Sequence, residues 1–271
     1  MEHLNTTFKN ISTSYLLKPS AKPVATVIFI HGFPFNKTIW EQQLEQLPQE
    51  VRGIAYDIRG FGESTSDHSF LSIDLFAQDL IQLIEVLNLE NCVLCGVSMG
   101  GYIALRAFEL HQDKIKGLIL CDTNFIADGN ESKQKRFATI EQIIKGGKND
   151  FTESFIKNVF SDTTLEGKPE IVQFLREVIM STANEIICST QLAMASRTDT
   201  SSSLQHIKVP SLIVRGEKDK LMSEEQTRQL VEGITGSECI NIPDSGHLPN
   251  LENPESFNVA INNFLNKHFL S

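Results

Sequence analysis

The sequence predicts an α/β fold in which a mostly parallel β-sheet is flanked by helices. Two observations carry this prediction. Short runs rich in Val, Ile, Leu and Cys are continuous rather than alternating, which is typical of strands that are buried on both faces. Segments with apolar residues at three- and four-residue spacing separate most of these runs, as expected where helices connect parallel strands.

The strands and their connecting helices can be assigned in chain order. Six strands are predicted at residues 24–32, 53–57, 91–97, 116–122, 210–216 and 238–243. Residues 72–89 repeat apolar side chains at helical spacing. Ser223 and Gln226 form a capping-box pattern at the start of another helix. An Asn cap followed by Pro254 begins the last helix.

One long segment departs from this alternation of strands and helices. Between residues 122 and 211 there is no strand pattern, and four amphipathic helices are predicted at residues 133–145, 150–160, 169–180 and 184–195. We therefore expect an α/β core formed by residues 1–122 and 206–271, with a helical cap at residues 123–205. The aromatic and Met side chains of this segment are expected to pack within the cap or to line a pocket beneath it.

Composition and charge restrict the possible functions. The chain has 271 residues, 41% of them hydrophobic and 21% charged, as in ordinary globular proteins. The net charge of −10 argues against nucleic acid or an anionic membrane surface as the main partner. No apolar stretch reaches the roughly 18 residues of a membrane span, and the first residues lack a secretory-signal pattern. We expect a cytoplasmic protein whose main partner is neither nucleic acid nor a membrane; composition does not distinguish a monomer from a homodimer.

The sequence gives no sign of a metal or an organic cofactor. Cys92 and Cys95 form a C-x-x-C pattern, but in a strand they point to opposite faces, so we expect the five cysteines to be buried thiols. Gly60 and Gly62 form a fragment of a dinucleotide fingerprint that lacks the third glycine and the helix. No metal-binding spacing is present.

A glycine-rich junction lies between the third predicted strand and an apolar helix. Gly96-Val97-Ser98-Met99-Gly100 fits the G-x-S-x-G pattern of a nucleophile elbow, a turn so crowded that its flanking positions must be small. Ser98 would stand at a helix N-terminus, where negative charge is favoured. Because strand–glycine–helix junctions also bind phosphates, the serine needs partners before the pattern indicates catalysis.

A serine becomes nucleophilic when an imidazole accepts its proton and a carboxylate orients that imidazole. His247, just after the last predicted strand, is the candidate base. Asp219, in the loop after the preceding strand, is the favoured acid, and Asp122 at another strand end is its main competitor. Glu217 and Asp244 are weaker candidates.

Two backbone N–H groups are candidates for an oxyanion hole. Pro34 has no N–H and disfavours helical backbone at Phe33, which leaves the Phe33 N–H free to point at a substrate oxygen. The second donor would be the N–H of Met99, immediately after the serine.

Taken together, these motifs resemble the α/β-hydrolase superfamily over essentially the whole chain. The matching stretches are HGFP at 31–34, YDIRGFGES at 56–64, GVSMGG at 96–101, GEKD at 216–219 and GH at 246–247. Their order, with Ser before Asp before His, is that of the superfamily. The resemblance is closest to serine esterases, enol-lactonases and perhydrolases that have a helical lid.

This resemblance implies an eight-stranded, mostly parallel sheet with the cap inserted after the sixth strand. It implies a triad of Ser98, Asp219 and His247, with Phe33 and Met99 as oxyanion donors. In the superfamily, the histidine at the position of His31 supports its loop. The candidate pocket residues are His31, Phe125, Phe155, Met194 and Leu248.

The function expected from these residues is hydrolysis of a small carboxylic ester or lactone through an acyl-enzyme. Two other readings stay open. The same triad could cleave a carbon–carbon bond or transfer the acyl group to peroxide, and the pocket could instead serve a small-ligand receptor with slow turnover.

Overall fold

The computed structural model describes residues 1–270, and within them eight strands form a single sheet. The strands are β1 (Glu2–Phe8), β2 (Ile11–Lys18), β3 (Ala25–Ile30), β4 (Val51–Tyr56), β5 (Cys92–Val97), β6 (Ile115–Cys121), β7 (Ser211–Gly216) and β8 (Glu238–Ile242). Their order in the sheet is β1-β2-β4-β3-β5-β6-β7-β8. Pairing is antiparallel from β1 to β2 and from β2 to β4, and parallel across the rest. The predicted mostly parallel eight-stranded sheet is confirmed.

Helices cover the sheet and connect its parallel strands. They are α1 (Glu41–Gln46), α2 (Ile73–Val86), α3 (Met99–Leu110), α4 (Asn130–Ile144), α5 (Lys148–Val159), α6 (Asp162–Gly167), α7 (Pro169–Ser181), α8 (Asn184–Ala195), α9 (Glu224–Gly233), α10 (Pro249–Glu252) and α11 (Pro254–Phe269). Strands β3 and β5 are buried along their whole length, which explains their continuous apolar sequences. None of the described helices is both long and apolar enough to cross a membrane.

The first two strands form a hairpin that the six predicted strands did not include. β1 alternates between exposed and partly buried residues, and β2 carries Ser and Thr among its apolar side chains. Neither strand is therefore a continuous apolar run. The six predicted strands are all present, with ends within two residues of those expected.

Helices α4 to α8 lie between β6 and β7, and we call residues 130–195 the helical insertion. The four predicted helices are present, and the short helix α6 was missed because its six residues are too few to show a periodic pattern. The insertion touches the core next to the last strand: the N–H of His247 donates to the Val159 carbonyl over 2.7 Å. The N–H of Ser161 donates to the Glu252 carboxylate over 2.8 Å.

The cysteines are free thiols, as expected, but they are not all buried. Cys92, Cys95 and Cys121 lie in the core, where burial raises the pKa of the Cys92 thiol to about 12. Cys188 is half-buried and Cys239 is exposed, so the expectation of burial is wrong for these two. Cys239 lies on the edge strand β8, whose middle residues face solvent.

Candidate active site

Ser98 occupies the sharp turn between β5 and α3. Its backbone has φ 54° and ψ −115°, in the left-handed half of φ space that residues with side chains rarely adopt. A Cβ on Gly96 would overlap the Gly100 carbonyl, and a Cβ on Gly100 would overlap the Ile30 carbonyl. Glycine is therefore required at positions 96 and 100, because main-chain atoms occupy the space that a Cβ would need. The Ser98 side chain does not cap its own helix, so its Oγ is available to other partners.

We expect Gly100→Ala to destabilise the protein by about 1–3 kcal/mol or more, because a buried methyl group would press against a main-chain oxygen of β3. The free energy of unfolding in urea measures this loss. Gly167→Ala is the matched control, since a Cβ at Gly167 meets no atom within 4 Å. Equal stability of the two variants would contradict the packing argument.

His247 is bonded to Asp219, the acid favoured by the sequence. Its Nδ1 lies 2.9 Å from Asp219 Oδ2, and both side chains are almost fully buried. Asp219 Oδ1 accepts the N–H of Leu221 over 2.8 Å, which fixes the carboxylate in the loop after β7. Because Nδ1 faces Asp219, the other ring nitrogen, Nε2, is left for the cavity that His247 lines together with Ser98.

Asp122, the competing acid, lies beside Asp219 but is not bonded to His247. Its Oδ1 accepts the N–H of Gly216 over 2.8 Å, while its buried Oδ2 has no hydrogen-bond donor among residues 1–270. Burial, and then the charge of Asp219, raises the pKa of the Asp122 carboxyl well above its usual value. The raised pKa favours the protonated form of Asp122 beside the carboxyl of Asp219.

Asp219 is the ionised member of this carboxyl pair. Burial alone would raise the pKa of Asp219, but the charge and hydrogen bond of His247 outweigh it and hold that pKa below its usual value. Asp122, Asp219 and His247 are close enough to share a cation, with donor atoms within 4.8 Å of one another. In the hydrogen-bonded arrangement, His247 Nδ1 donates its proton to the Asp219 carboxylate and has no lone pair to offer a metal while this bond is intact. The arrangement fits an imidazole oriented by a carboxylate.

The two candidate oxyanion donors are the residue that follows Ser98 and a residue of the loop after β3. Met99 is the first residue of α3, and Phe33 follows β3 in a loop that lines the cavity. Neither backbone N–H donates a hydrogen bond to another described residue. Both groups are therefore free to donate to a ligand, as N–H groups at a helix N-terminus commonly do.

A cavity of about 420 Å³ contains Ser98 and His247 in its wall. Phe33, Phe155 and Met194 also line it, as the sequence predicts for the last two. The rings of Phe33 and Phe155 meet edge to face, with centroids 6.0 Å apart.

His31, Phe125 and Leu248 do not line this cavity. His31 is fully buried, with Nδ1 2.9 Å from the Gly32 carbonyl and Nε2 accepting the Ile58 N–H over 3.0 Å. It braces its loop, and burial lowers the pKa of its imidazole to about 4. Leu248 is fully buried before α10, and Phe125 packs against the core.

Several polar residues of the cavity wall were not identified from the sequence. They are Tyr102, Asn124, Asp128, Arg136, Gln191 and Arg197. They come from the loops before α4 and after α8 and from α3, α4 and α8, and none belongs to a motif. The one available signal was the presence of charged residues in the predicted cap helices, a pattern that usually marks a solvated face.

The fold and the serine turn define an α/β hydrolase, and comparison with known proteins agrees. A family model described as alpha/beta hydrolase fold matches residues 25–254, so the chain belongs to this family. A putative non-heme chloroperoxidase of Synechocystis is 30% identical, over 88% of this chain and 90% of that protein. The 3-oxoadipate enol-lactonase 2 of Acinetobacter baylyi is 26% identical, over 87% and 86%.

A solved structure gives the same result for the whole chain. It is a thermophilic esterase from Thermogutta terrifontis with malate bound, with TM-score 0.91 and 32% identity, covering 99% of this chain and 100% of that one. These relatives indicate a hydrolase, and they include esterases, lactonases and peroxidases.

Proposed function

We propose that this protein is a serine hydrolase that cleaves a small carboxylic ester or lactone through an acyl-enzyme. One observation carries the proposal: Ser98, on its constrained turn, shares a cavity with His247, whose Nδ1 is held 2.9 Å from the Asp219 carboxylate. The names of the esterase and enol-lactonase relatives support the choice of ester or lactone.

The reaction proceeds in two halves. Ser98 Oγ attacks the carbonyl carbon while His247 Nε2 accepts the hydroxyl proton, and Asp219 stabilises the imidazolium that forms. The N–H groups of Phe33 and Met99 donate to the developing oxyanion, where loss of one donor typically costs about 2.7–4 kcal/mol. His247 then returns the proton to the departing alkoxide. Water, deprotonated by His247, attacks the acyl-enzyme, releases the acid and restores the serine.

The cavity favours compact acyl groups. Its volume of about 420 Å³ is near the lower end of small-molecule pockets. Phe33, Phe151 and Phe155 form an aromatic cluster on its wall, with ring centroids 5.4–6.3 Å apart. These rings offer apolar surface to a short acyl chain.

Transfer of the acyl group to hydrogen peroxide is a second candidate, favoured by the chloroperoxidase relative. It needs the same catalytic groups, with peroxide replacing water in the second half. The acyl-enzyme would then yield a peracid.

A panel of 4-nitrophenyl esters and lactones tests the proposal. We expect the wild type to cleave the acetate and butyrate esters, to lose activity as the acyl chain lengthens, and to be labelled by a fluorophosphonate probe. Adding peroxide and measuring peracid examines the second candidate. Absence of both turnover and labelling would contradict the serine-hydrolase proposal, and an optimum at long chains would contradict the compact pocket.

A further inference from the structure

The cavity that contains Ser98 has more cationic than anionic side chains in its wall, although the protein as a whole is acidic. Among the described residues that line it, the charged side chains are Lys135, Arg136 and Arg197 against one carboxylate, Asp128. The whole chain has a net charge of −10. An excess of positive charge in a concave site of such a protein attracts anions.

The guanidinium of Arg197 makes its hydrogen bonds within the protein. Its side chain is 4% exposed, it pairs with Asp128, and its Nε and Nη2 donate to the Ile126 carbonyl over 3.0 and 2.7 Å. Its guanidinium lies 4.3 Å from the centre of the Tyr102 ring. Arg197 therefore fixes Asp128 and Tyr102 in place and has little capacity left for a ligand.

Arg136, on α4, has a hydrogen-bond donor without an acceptor among the described residues. Its Nε pairs with Asp128, and its Nη1 lies 3.0 Å from Gln191 Oε1 and 3.5 Å from Met194 Sδ. Its Nη2 has one long contact, 3.5 Å to Asp128 Oδ1. A guanidinium carries five N–H bonds, two of them on Nη2, so at least one N–H has no acceptor among residues 1–270.

The charge around Arg136 is also incompletely balanced. Burial would raise the pKa of Asp128, but hydrogen bonding by Arg136 and the charges of both arginines hold it below its usual value, so Asp128 is ionised. One carboxylate between two guanidinium groups leaves one positive charge. Lys135 does not contribute to the interior, because its side chain is 76% exposed and pairs with Glu131 over 2.9 Å.

We propose that Arg136 binds a carboxylate group of the substrate, so that the substrates are small esters or lactones that carry a free carboxylate. This proposal rests on the proposed hydrolase function. A carboxylate is planar and accepts hydrogen bonds from a guanidinium edge. Its single negative charge matches the single positive charge left by the Arg136–Asp128–Arg197 cluster, whereas a phosphate dianion would exceed it. Gln191 and Asp128 hold the Arg136 side chain in position for this contact.

Half-esters of dicarboxylic acids test this inference. The substrates are the monomethyl esters of succinate, glutarate and adipate, compared with the corresponding dimethyl esters, in which the carboxylate is capped. Methanol release gives kcat/KM for each. We expect the wild type to favour the half-ester whose length places its carboxylate at Arg136. Arg136→Gln should lower the ratio of half-ester to diester kcat/KM by about ten- to hundred-fold, the range for a hydrogen bond to a charged group.

Two further variants separate charge from structure. Arg136→Lys keeps the positive charge and should retain part of the preference. Arg228→Gln removes the same charge from an exposed position on α9 and should leave the ratio unchanged, which controls for long-range electrostatics. An Arg136→Gln ratio equal to that of the wild type would overturn the carboxylate site while leaving ester hydrolysis intact.

Binding of monomethyl glutarate, a half-ester with one carboxylate, tests the site without turnover. Titration of Ser98→Ala with this half-ester should show binding that Arg136→Gln weakens in the same background. Wild type that cleaves neither half-esters nor diesters would contradict the hydrolase function. Affinity for monomethyl glutarate that is independent of Arg136 would overturn the carboxylate site separately.

Discussion

Ser98→Ala is expected to reduce ester hydrolysis by about 10⁴-fold or more, to the residual rate that binding and the oxyanion donors can support. The variant removes the atom that would form the acyl-enzyme and changes little else. Alanine has the same Cβ as serine, and the Ser98 hydroxyl makes no cap hydrogen bond with α3. Hydrolysis of 4-nitrophenyl butyrate measures the loss, and circular dichroism with thermal unfolding checks the fold.

Fluorophosphonate labelling identifies the reacting serine directly. Ser132 also lines the cavity and provides the matched control within the same space. We expect Ser132→Ala to retain labelling and Ser98→Ala to lose it. Labelling or acyl transfer that persists in a folded Ser98→Ala protein would show that another group is the nucleophile.

The fold could be predicted because its strongest determinants are local in the sequence. Central strands such as β3 and β5 are buried at every position, since helices cover both faces, and this leaves nearly continuous apolar runs. The β1–β2 hairpin lies at the sheet edge and needs no such run. Its polar, partly exposed residues gave no comparable signal.

The catalytic candidates could be predicted for a different physical reason. Parallel strands bring their carboxyl ends to one edge of the sheet, so Ser98, Asp219 and His247 are gathered by topology although they are far apart in sequence. The glycines beside Ser98 add a second signal, because main-chain crowding excludes larger residues there.

The pocket wall could not be predicted from the same patterns. Helical periodicity shows that α4 has two faces, but not which face meets the sheet after the insertion folds. Arg136 is a charged residue of a helix with few buried positions, a context typical of solvent exposure. Its inward placement depends on Asp128, Gln191 and Met194, which are brought to it only by tertiary packing.

Asp219→Asn is expected to lower kcat, and kcat/KM with it, by about 10⁴-fold, by analogy with the loss in kcat for the corresponding change in a serine protease. The Asn amide would place an N–H toward His247 Nδ1, so that Nδ1 becomes an acceptor and Nε2 carries the proton. An imidazole in that tautomer cannot accept the proton of Ser98. The pH dependence of kcat/KM for 4-nitrophenyl butyrate measures the effect.

Asp122→Asn is the matched substitution at the neighbouring carboxyl, and we expect this variant to retain most activity. A protonated carboxyl and an amide have nearly the same shape. The amide can accept the Gly216 N–H through its oxygen and donate toward Asp219 through its nitrogen, replacing both contacts of Asp122. Activity should therefore distinguish the two carboxyls even though they lie side by side.

The stability of Asp122→Asn carries a second, pH-dependent test. Because the pKa of Asp122 is raised in the folded state, the folded protein binds a proton there that the unfolded chain loses above about pH 3.9. As pH rises above this value, loss of the proton from Asp122 in the unfolded chain lowers the free energy of unfolding of the wild type. At lower pH, where both states bind the proton, this destabilisation is absent. We expect the variant to have a higher Tm than the wild type at pH 7, with the difference vanishing below about pH 4. If Asp122→Asn instead abolishes activity and Asp219→Asn does not, Asp122 is the catalytic acid and the roles of the two carboxyls are reversed.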